Sequence, residues 1–335
     1  MNAELATLLT EAGIPGPLDW RNIVTLYNYA PIPAPPLRVD ISGWMRGFNL
    51  VVLQNGRPET FVKCRPASDA VLDRESAIRT ALAGDRPGKL SIAAVRHARS
   101  ARIAVQVTPF LRGPTYGQFV AAQKPEQYVE TLASVLQSAA ELATIAQRDC
   151  DLLKQPTPTV SVPTLANDAL AEVATLASLD ATQQAALAEV VLEAGEVPSI
   201  PQHGDFWWQN LIMVDGEFYA IDFDSYGDIR VPLFDDLTLM VTTMAVRAGG
   251  TVEGLTRLTS AEPEARACHR VLAERARVDG VALSKLDGLL VYYLANMAAT
   301  VHRRGGLAFS GPHIAAARYA AERLARGERG LLSIR

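Results

Sequence analysis

The chain has 335 residues, 49% of them apolar and 20% charged, with a formal net charge of −4. That size allows one two-lobed unit or two domains with a sizeable core, and no uninterrupted apolar run reaches the roughly 18 residues of a membrane-spanning helix. Residues 155–246 hold fourteen Asp or Glu and a single basic residue, Arg230, which argues against a nucleic-acid-binding face there, because phosphate backbones require Lys and Arg.

In chain order, residues 1–37 read as an N-terminal extension. Residues 3–12 have helical spacing, and the opening MNAELATLLTEAG lacks the basic region of a secretory signal. Pro31, Pro33, Pro35 and Pro36 mark a boundary and a connector. Residues 38–112 read as a small β-rich unit. Two β-rich runs flank Asn55-Gly56, a hairpin signal. Before them stands a turn with Ser42, Gly43 and Gly47, small residues that let backbone amides approach phosphate; two glycines in a turn are also compatible with a plain turn. Lys63 lies inside the apolar run TFVKC, where a Lys is unusual unless its charge is paired. The helix predicted over residues 69–83 offers a partner in Glu75, with Asp73 as the second choice. Residues 102–111 read as a further strand.

Residues 113–335 read as a larger, mostly helical unit. Residues 127–149 form an amphipathic helix with Leu132, Val135, Leu136, Leu142 and Ile145 on one stripe. Residues 156–164 read as a loop, and residues 169–194 as two helices joined near 178–182. Beyond residue 241 the pattern is helical, and His302, beside Arg303 and Arg304, reads as a structural or surface histidine. Cys64, Cys150 and Cys268 are odd in number and far apart, with no metal-ligand spacing; a reduced, cytoplasmic setting is expected.

The informative stretch is residues 201–240. It contains HGDFWWQN, then an apolar run, then Asp215-Gly216, then a second apolar run ending in IDFD. Alternating runs around Asp-Gly predict a β-hairpin. Such a hairpin brings Asp205 and Asn210, ahead of its first strand, close to Asp222, just after its second. Three convergent oxygen-bearing side chains suit phosphoryl transfer, which needs a group to orient a hydroxyl and hard ligands for magnesium.

These residues resemble the H-G-D-x-x-x-x-N and I-D-[FW]-[DE] signature of the aminoglycoside phosphotransferase and choline kinase superfamily. The resemblance implies an α+β, two-lobed protein-kinase-like fold, with a β-rich N-lobe over residues 38–112 and a helical C-lobe over residues 113–335. It implies Asp205 as catalytic base, Asn210 and Asp222 as magnesium ligands, and Lys63, fixed by Glu75, as the residue that positions the phosphates of ATP or GTP. Ser42, Gly43 and Gly47 would cover the nucleotide. Backbone groups of residues 107–110, Val107 and Phe110 among them, would meet the base; Pro109 has no N–H to give. Asp235-Asp236-Leu237 resembles the segment that buttresses the catalytic loop.

The implied partners are a nucleotide and a small hydroxyl-bearing acceptor, with no nucleic acid and no membrane. The acidic middle of the chain points to an acceptor that also carries positive charge, an amino sugar, aminoglycoside or amino alcohol, met by Asp224, Asp228, Trp207 and Trp208. A neutral sugar or other hydroxyl metabolite is the alternative. A catalytically inactive binding module is a further one, against which stand Lys63, Asp205, Asn210 and Asp222, all present. A protein kinase is disfavoured: HGD stands where those enzymes have HRD, and no D-F-G and A-P-E pair brackets an activation segment.

Overall fold

The structure is a computed structural model that describes residues 3–16, 20–27, 30–31, 47–83, 88–154 and 158–332. The small lobe is a six-stranded antiparallel sheet of β1 (Ile23–Tyr27), β2 (Ala30–Pro31), β3 (Phe48–Gln54), β4 (Arg57–Pro66), β6 (Arg96–Arg99) and β7 (Ile103–Pro109), in the order β2-β1-β3-β4-β7-β6. Asn55 (φ 53°) and Gly56 (φ 74°) make the tight β3–β4 turn, the left-handed pair that matches strand twist.

Side chains alternate across this sheet with period two. Leu50, Val62, Cys64, Val105 and Val107 point to one face and pack with Leu5, Leu8 and Leu9 of α1 (Ala3–Glu11). Phe61, Lys63, Gln106 and Thr108 point to the other face, which forms one wall of a cleft. Thus α1 and β1, from the N-terminal stretch, supply part of the lobe's core and a strand of its sheet. Helix α2 (Val71–Leu82) crosses between the lobes.

The large lobe is built around a second apolar cluster. Its helices are α3 (Tyr116–Ala121), α4 (Pro125–Asp149), α5 (Val162–Leu176), α6 (Ala181–Ala194), α7 (Phe234–Ala248), α8 (Thr251–Leu258), α9 (Pro263–Val278), α10 (Leu286–Gly305) and α11 (Leu307–Ala325). The segment expected to be a loop over residues 156–164 instead contains β8 (Thr159–Ser161), which pairs with β9 (Glu196–Pro198), and the first turn of α5. Proline causes the difference: Pro163 stands in that first turn, where its missing N–H costs nothing.

The hairpin of β10 (Leu211–Val214) and β11 (Glu217–Ala220) turns at Asp215 (φ 50°) and Gly216 (φ 85°). A short strand, β5 (Leu90–Ile92), adds to β11 in parallel. It comes from the stretch between α2 and β6, so it ties small-lobe chain to the hairpin that carries the site. Among the described residues no helix is long and apolar enough to cross a membrane.

Candidate active site

Lys63 faces the cleft and is only 7% exposed. Its ammonium donates to Glu75 Oε2 at 2.8 Å and to Asp222 Oδ1 at 2.5 Å. Burial disfavours the charged ammonium, but the two carboxylates outweigh burial and the net pKa shift is upward. Glu75 is fully buried; its other oxygen accepts from Phe223 N–H at 3.3 Å and lies 3.4 Å from Arg79 Nη1. Asp73 pairs instead with His97 and Arg99 on β6.

The loop that begins at His203 is held from behind. His203 and Gly204 amides donate to the two oxygens of Asp235 at 2.6 and 3.0 Å. Asp235 begins α7, and burial pushes its carboxyl up to about 7. His203 is buried against Phe206, Phe223 and Tyr226. Its Nε2 lies 3.0 Å from Ile221 O, a carbonyl that only accepts, so Nε2 carries the proton. Burial lowers its pKa to about 4, which makes it a neutral structural bridge between loop and hairpin.

The hairpin delivers the remaining groups. Ile221 N–H donates to Asn210 O at 3.0 Å, closing its base. Asn210 Nδ2 donates to Asp205 O at 2.9 Å and to Asp205 Oδ2 at 3.1 Å, and Asn210 Oδ1 has no hydrogen-bond partner among the described residues. Asp222 takes left-handed backbone angles (φ 65°, ψ 62°), which Asp tolerates better than bulkier residues and which turn its carboxylate into the cleft. Burial raises Asp222, but Lys63 outweighs it and the net shift is downward. Asp205 moves the other way, up to about 6: burial raises it first and the Asp222 charge second, while Arg304 from the last turn of α10 opposes both. The two carboxylates are thus driven apart, one to stay ionised and one to titrate near neutrality.

Between the lobes lies a cleft of about 270 Å³, lined by Lys63, Arg79, Gln106, Thr108, Phe110 and Asp222 among others. At its hinge side, Phe110 donates its N–H to Glu59 O at 2.9 Å, so that group is engaged within the chain. The donor left is Leu111 N–H, which has no partner among the described residues. A second cleft, about 240 Å³, lies behind the loop between α4, Asp235 and Arg275 and is lined by neither Asp205 nor Asp222.

The donor set fits a magnesium ion shared with phosphate. Asp222 and Asn210 Oδ1 supply two hard oxygens, and magnesium is usually held by one or two side chains together with substrate phosphates. Among the described residues no cluster of three or more acidic, His or Cys side chains could hold a metal alone.

Other candidates have partners or packing of their own. Val107, expected to offer backbone groups to the base, stands in β7 opposite Val62 of β4 and Arg96 of β6, with its side chain in the small-lobe core. Asp228 pairs with Arg74 at 2.6 Å. Trp208 packs on the large-lobe core against Gly117, where a Cβ would run into the indole; it is a packing residue. Trp207 and Asp224 are half-buried, and Asp224 is raised by burial and then by Asp222. Gly47 (φ 78°) runs so close to Cys64 O that a Cβ would collide with it. Ser42 and Gly43 lie outside the described residues. Arg79, Gln106 and Leu111 were not anticipated. Period-two alternation from Lys63 and the spacing from Glu75 to Arg79, one helical turn, were the signals available.

Comparisons agree with this geometry. The sequence model of the phosphotransferase enzyme family, APH, matches residues 48–235. No curated protein sequence matches the chain significantly. Among solved structures, an uncharacterised aminoglycoside phosphotransferase from Ralstonia eutropha JMP134 aligns with TM-score 0.62 at 13% identity, covering 98% of each chain. A glucosamine kinase in complex with glucosamine, ADP and inorganic phosphate aligns at 0.54 and 14% identity, over 84% of this chain and 81% of that one. The GDP and kanamycin complex of APH(2")-IIIa aligns at 0.57 and 12% identity, over 96% and 99%. At such identities the structures speak for the fold alone. The match of the family model over more than half of the chain, through the loop and hairpin described above, shows that this protein belongs to the APH phosphotransferase enzyme family.

Proposed function

We propose that the protein transfers the γ-phosphoryl group of ATP or GTP to a hydroxyl of a small molecule, and that this acceptor carries at most one ammonium group, as an amino sugar does. The observation that carries the transfer is that Asp222, paired with Lys63 in the interlobe cleft, lies near enough to the Asn210-bound Asp205 for its charge to raise that carboxyl. In this reading Lys63 turns from Asp222 to the phosphates, and Glu75 keeps it oriented. Asp222 and Asn210 Oδ1 would hold magnesium, which when bound neutralises charge on the β- and γ-phosphates. Asp205 accepts a hydrogen bond from the acceptor hydroxyl and takes its proton as the new P–O bond forms and the γ-phosphorus bond to the departing nucleoside diphosphate breaks. Leu111 N–H meets the base at the hinge. The reaction demands mainly positioning, so these few groups suffice.

The limit to one ammonium follows from the charge inventory. Asp228 is engaged with Arg74, and Asp235 and Asp236 are buried behind the loop. Asp224 is then the surplus carboxylate near Asp205, while Arg304 adds positive charge on that side. A polycation would meet too little compensation there. The glucosamine kinase of similar fold acts on such a singly charged amino sugar by its name. Arg304 also favours a second reading, a neutral hydroxyl acceptor. A panel of amino sugars, their neutral counterparts and polycationic aminoglycosides, each assayed by nucleoside diphosphate release at low and high salt, tests both. An amino sugar turned over faster than its neutral counterpart, more so at low salt, supports the proposal. Faster turnover of polycations would overturn the limit, and release with no acceptor would overturn the transfer.

A further inference from the structure

Three consecutive charged residues of α2 point in three directions, as side chains about 100° apart must. Asp73 binds His97 and Arg99 of the small lobe, and Glu75 enters the cleft. Arg74 crosses to the large lobe: Nη2 donates to Tyr226 O at 2.7 Å, and Nη1 pairs with Asp228 Oδ1 at 2.6 Å. The carbonyl it grips is fixed, because the Tyr226 ring is buried and stacked on Phe223 at 5.5 Å. Between Tyr226 and Asp228, Gly227 (φ 81°) passes so near Leu153 that a Cβ would collide with it.

We propose that Arg74 is a positioning residue: with Glu75 it clamps residues 222–228 and so holds the left-handed Asp222 in place for magnesium and nucleotide. Glu75 takes the front of the segment through Phe223 N–H, and Arg74 takes the back. Two anchors on one rigid helix fix the segment's distance and angle relative to Lys63. A non-glycine residue with positive φ persists only when its surroundings over-determine it. The functional consequence rests on the nucleotide-site reading above.

The carbonyl bond carries more weight than the ion pair. Asp228 is 57% exposed, and such a pair is screened, whereas a charged donor on a held carbonyl keeps its strength. Arg74→Ala, Arg74→Lys and Asp228→Asn separate the two contacts. Amide hydrogen exchange on the ligand-free protein is read over residues 222–228, and ATP and GTP titrations are run with magnesium and with EDTA. Arg74→Ala is expected to speed exchange in that segment and to weaken magnesium-dependent nucleotide binding by about three- to tenfold, with a smaller change in EDTA. Arg74→Lys restores part of both, and Asp228→Asn changes each less than Arg74→Ala does. Unchanged exchange over residues 222–228 in Arg74→Ala overturns the clamp, whatever the nucleotide does. Equal loss with and without magnesium overturns the positioning role and leaves a merely structural contact. Failure of the unaltered protein to bind either nucleotide would instead count against the underlying kinase reading, with the exchange result still deciding the clamp.

Discussion

Asp205 is under opposed demands. In the proposed transfer it must be ionised to orient and deprotonate a hydroxyl, yet burial and Asp222 hold its pKa up at about 6. Turnover should therefore fall as pH drops through about 6 and level off above it, a limb that a kcat/KM profile between pH 5 and 8 would show. Asp205→Asn should abolish that limb and lower turnover on the order of a hundredfold, the usual worth of a positioned base. The stability sign is opposite. A carboxyl whose folded pKa lies above its unfolded value favours the fold at low pH, and that contribution disappears as pH rises through about 6. Above that pH, Asp205→Asn should unfold no more easily than the unaltered protein. Near-normal turnover, or marked destabilisation at pH 8, would contradict the assignment. Asp205, Asn210 and Asp222 could be grouped from the sequence because they stand at fixed spacings about one loop and hairpin, and Lys63 with Glu75 because a Lys inside an apolar strand needs a carboxylate from the next helix. The partners of Asp228, Trp208 and Val107 were not legible because they are distant in the chain: Arg74 on α2, Gly117 on α3, and the strands β4 and β6 on either side of β7.

At the scale of elements, the β10–β11 hairpin determines whether Asn210 and Asp222 meet. Its register pairs Leu211 with Ala220 and Val214 with Glu217, leaving Asp215 and Gly216 as the turn. No atom lies within 4 Å of a Cβ built on Gly216, so substitution there perturbs the backbone conformation alone. Gly216→Val, at φ 85°, should cost about 1–2 kcal/mol, the penalty of a left-handed conformation for a bulky residue. Urea unfolding would measure it as a lower midpoint at unchanged slope. An unchanged midpoint would mean that the turn relaxes freely and the hairpin is held elsewhere. Both hairpins were legible because Asn-Gly and Asp-Gly specify a turn locally. The strands β5 and β8 were not. Each is three residues long, and what makes it a strand is an edge supplied by β11 or β9. Likewise α1 was legible as a helix, but its place over the small-lobe sheet depends on the apolar face that β3, β4 and β7 present together.

For the whole molecule, the cleft is where the lobes meet in charge as well as shape. Lys63 bridges Glu75 of the small lobe and Asp222 of the large one, so a buried cation ties the halves together. In the proposed transfer, nucleotide would break the Lys63–Asp222 half of that bridge. Freed of its cation, Asp222 would be a half-buried carboxylate without a partner, which is costly unless another positive charge replaces Lys63. Magnesium would supply that charge, so nucleotide and metal should bind as a unit. A ligand that binds only the folded state stabilises by RT ln(1 + [L]/Kd), about 2.7 kcal/mol at a hundredfold excess over Kd. Thermal unfolding should therefore shift upward by a few degrees with magnesium and ATP or GTP together. It should shift much less with nucleotide in EDTA, or with magnesium alone, at the same concentrations. In Asp222→Asn the carboxylate that needs replacing is gone, and the synergy should shrink while nucleotide alone still binds. Equal stabilisation by nucleotide with and without magnesium in the unaltered protein would show that Asp222 stays on Lys63 throughout, and the exchange of partners would fall with it.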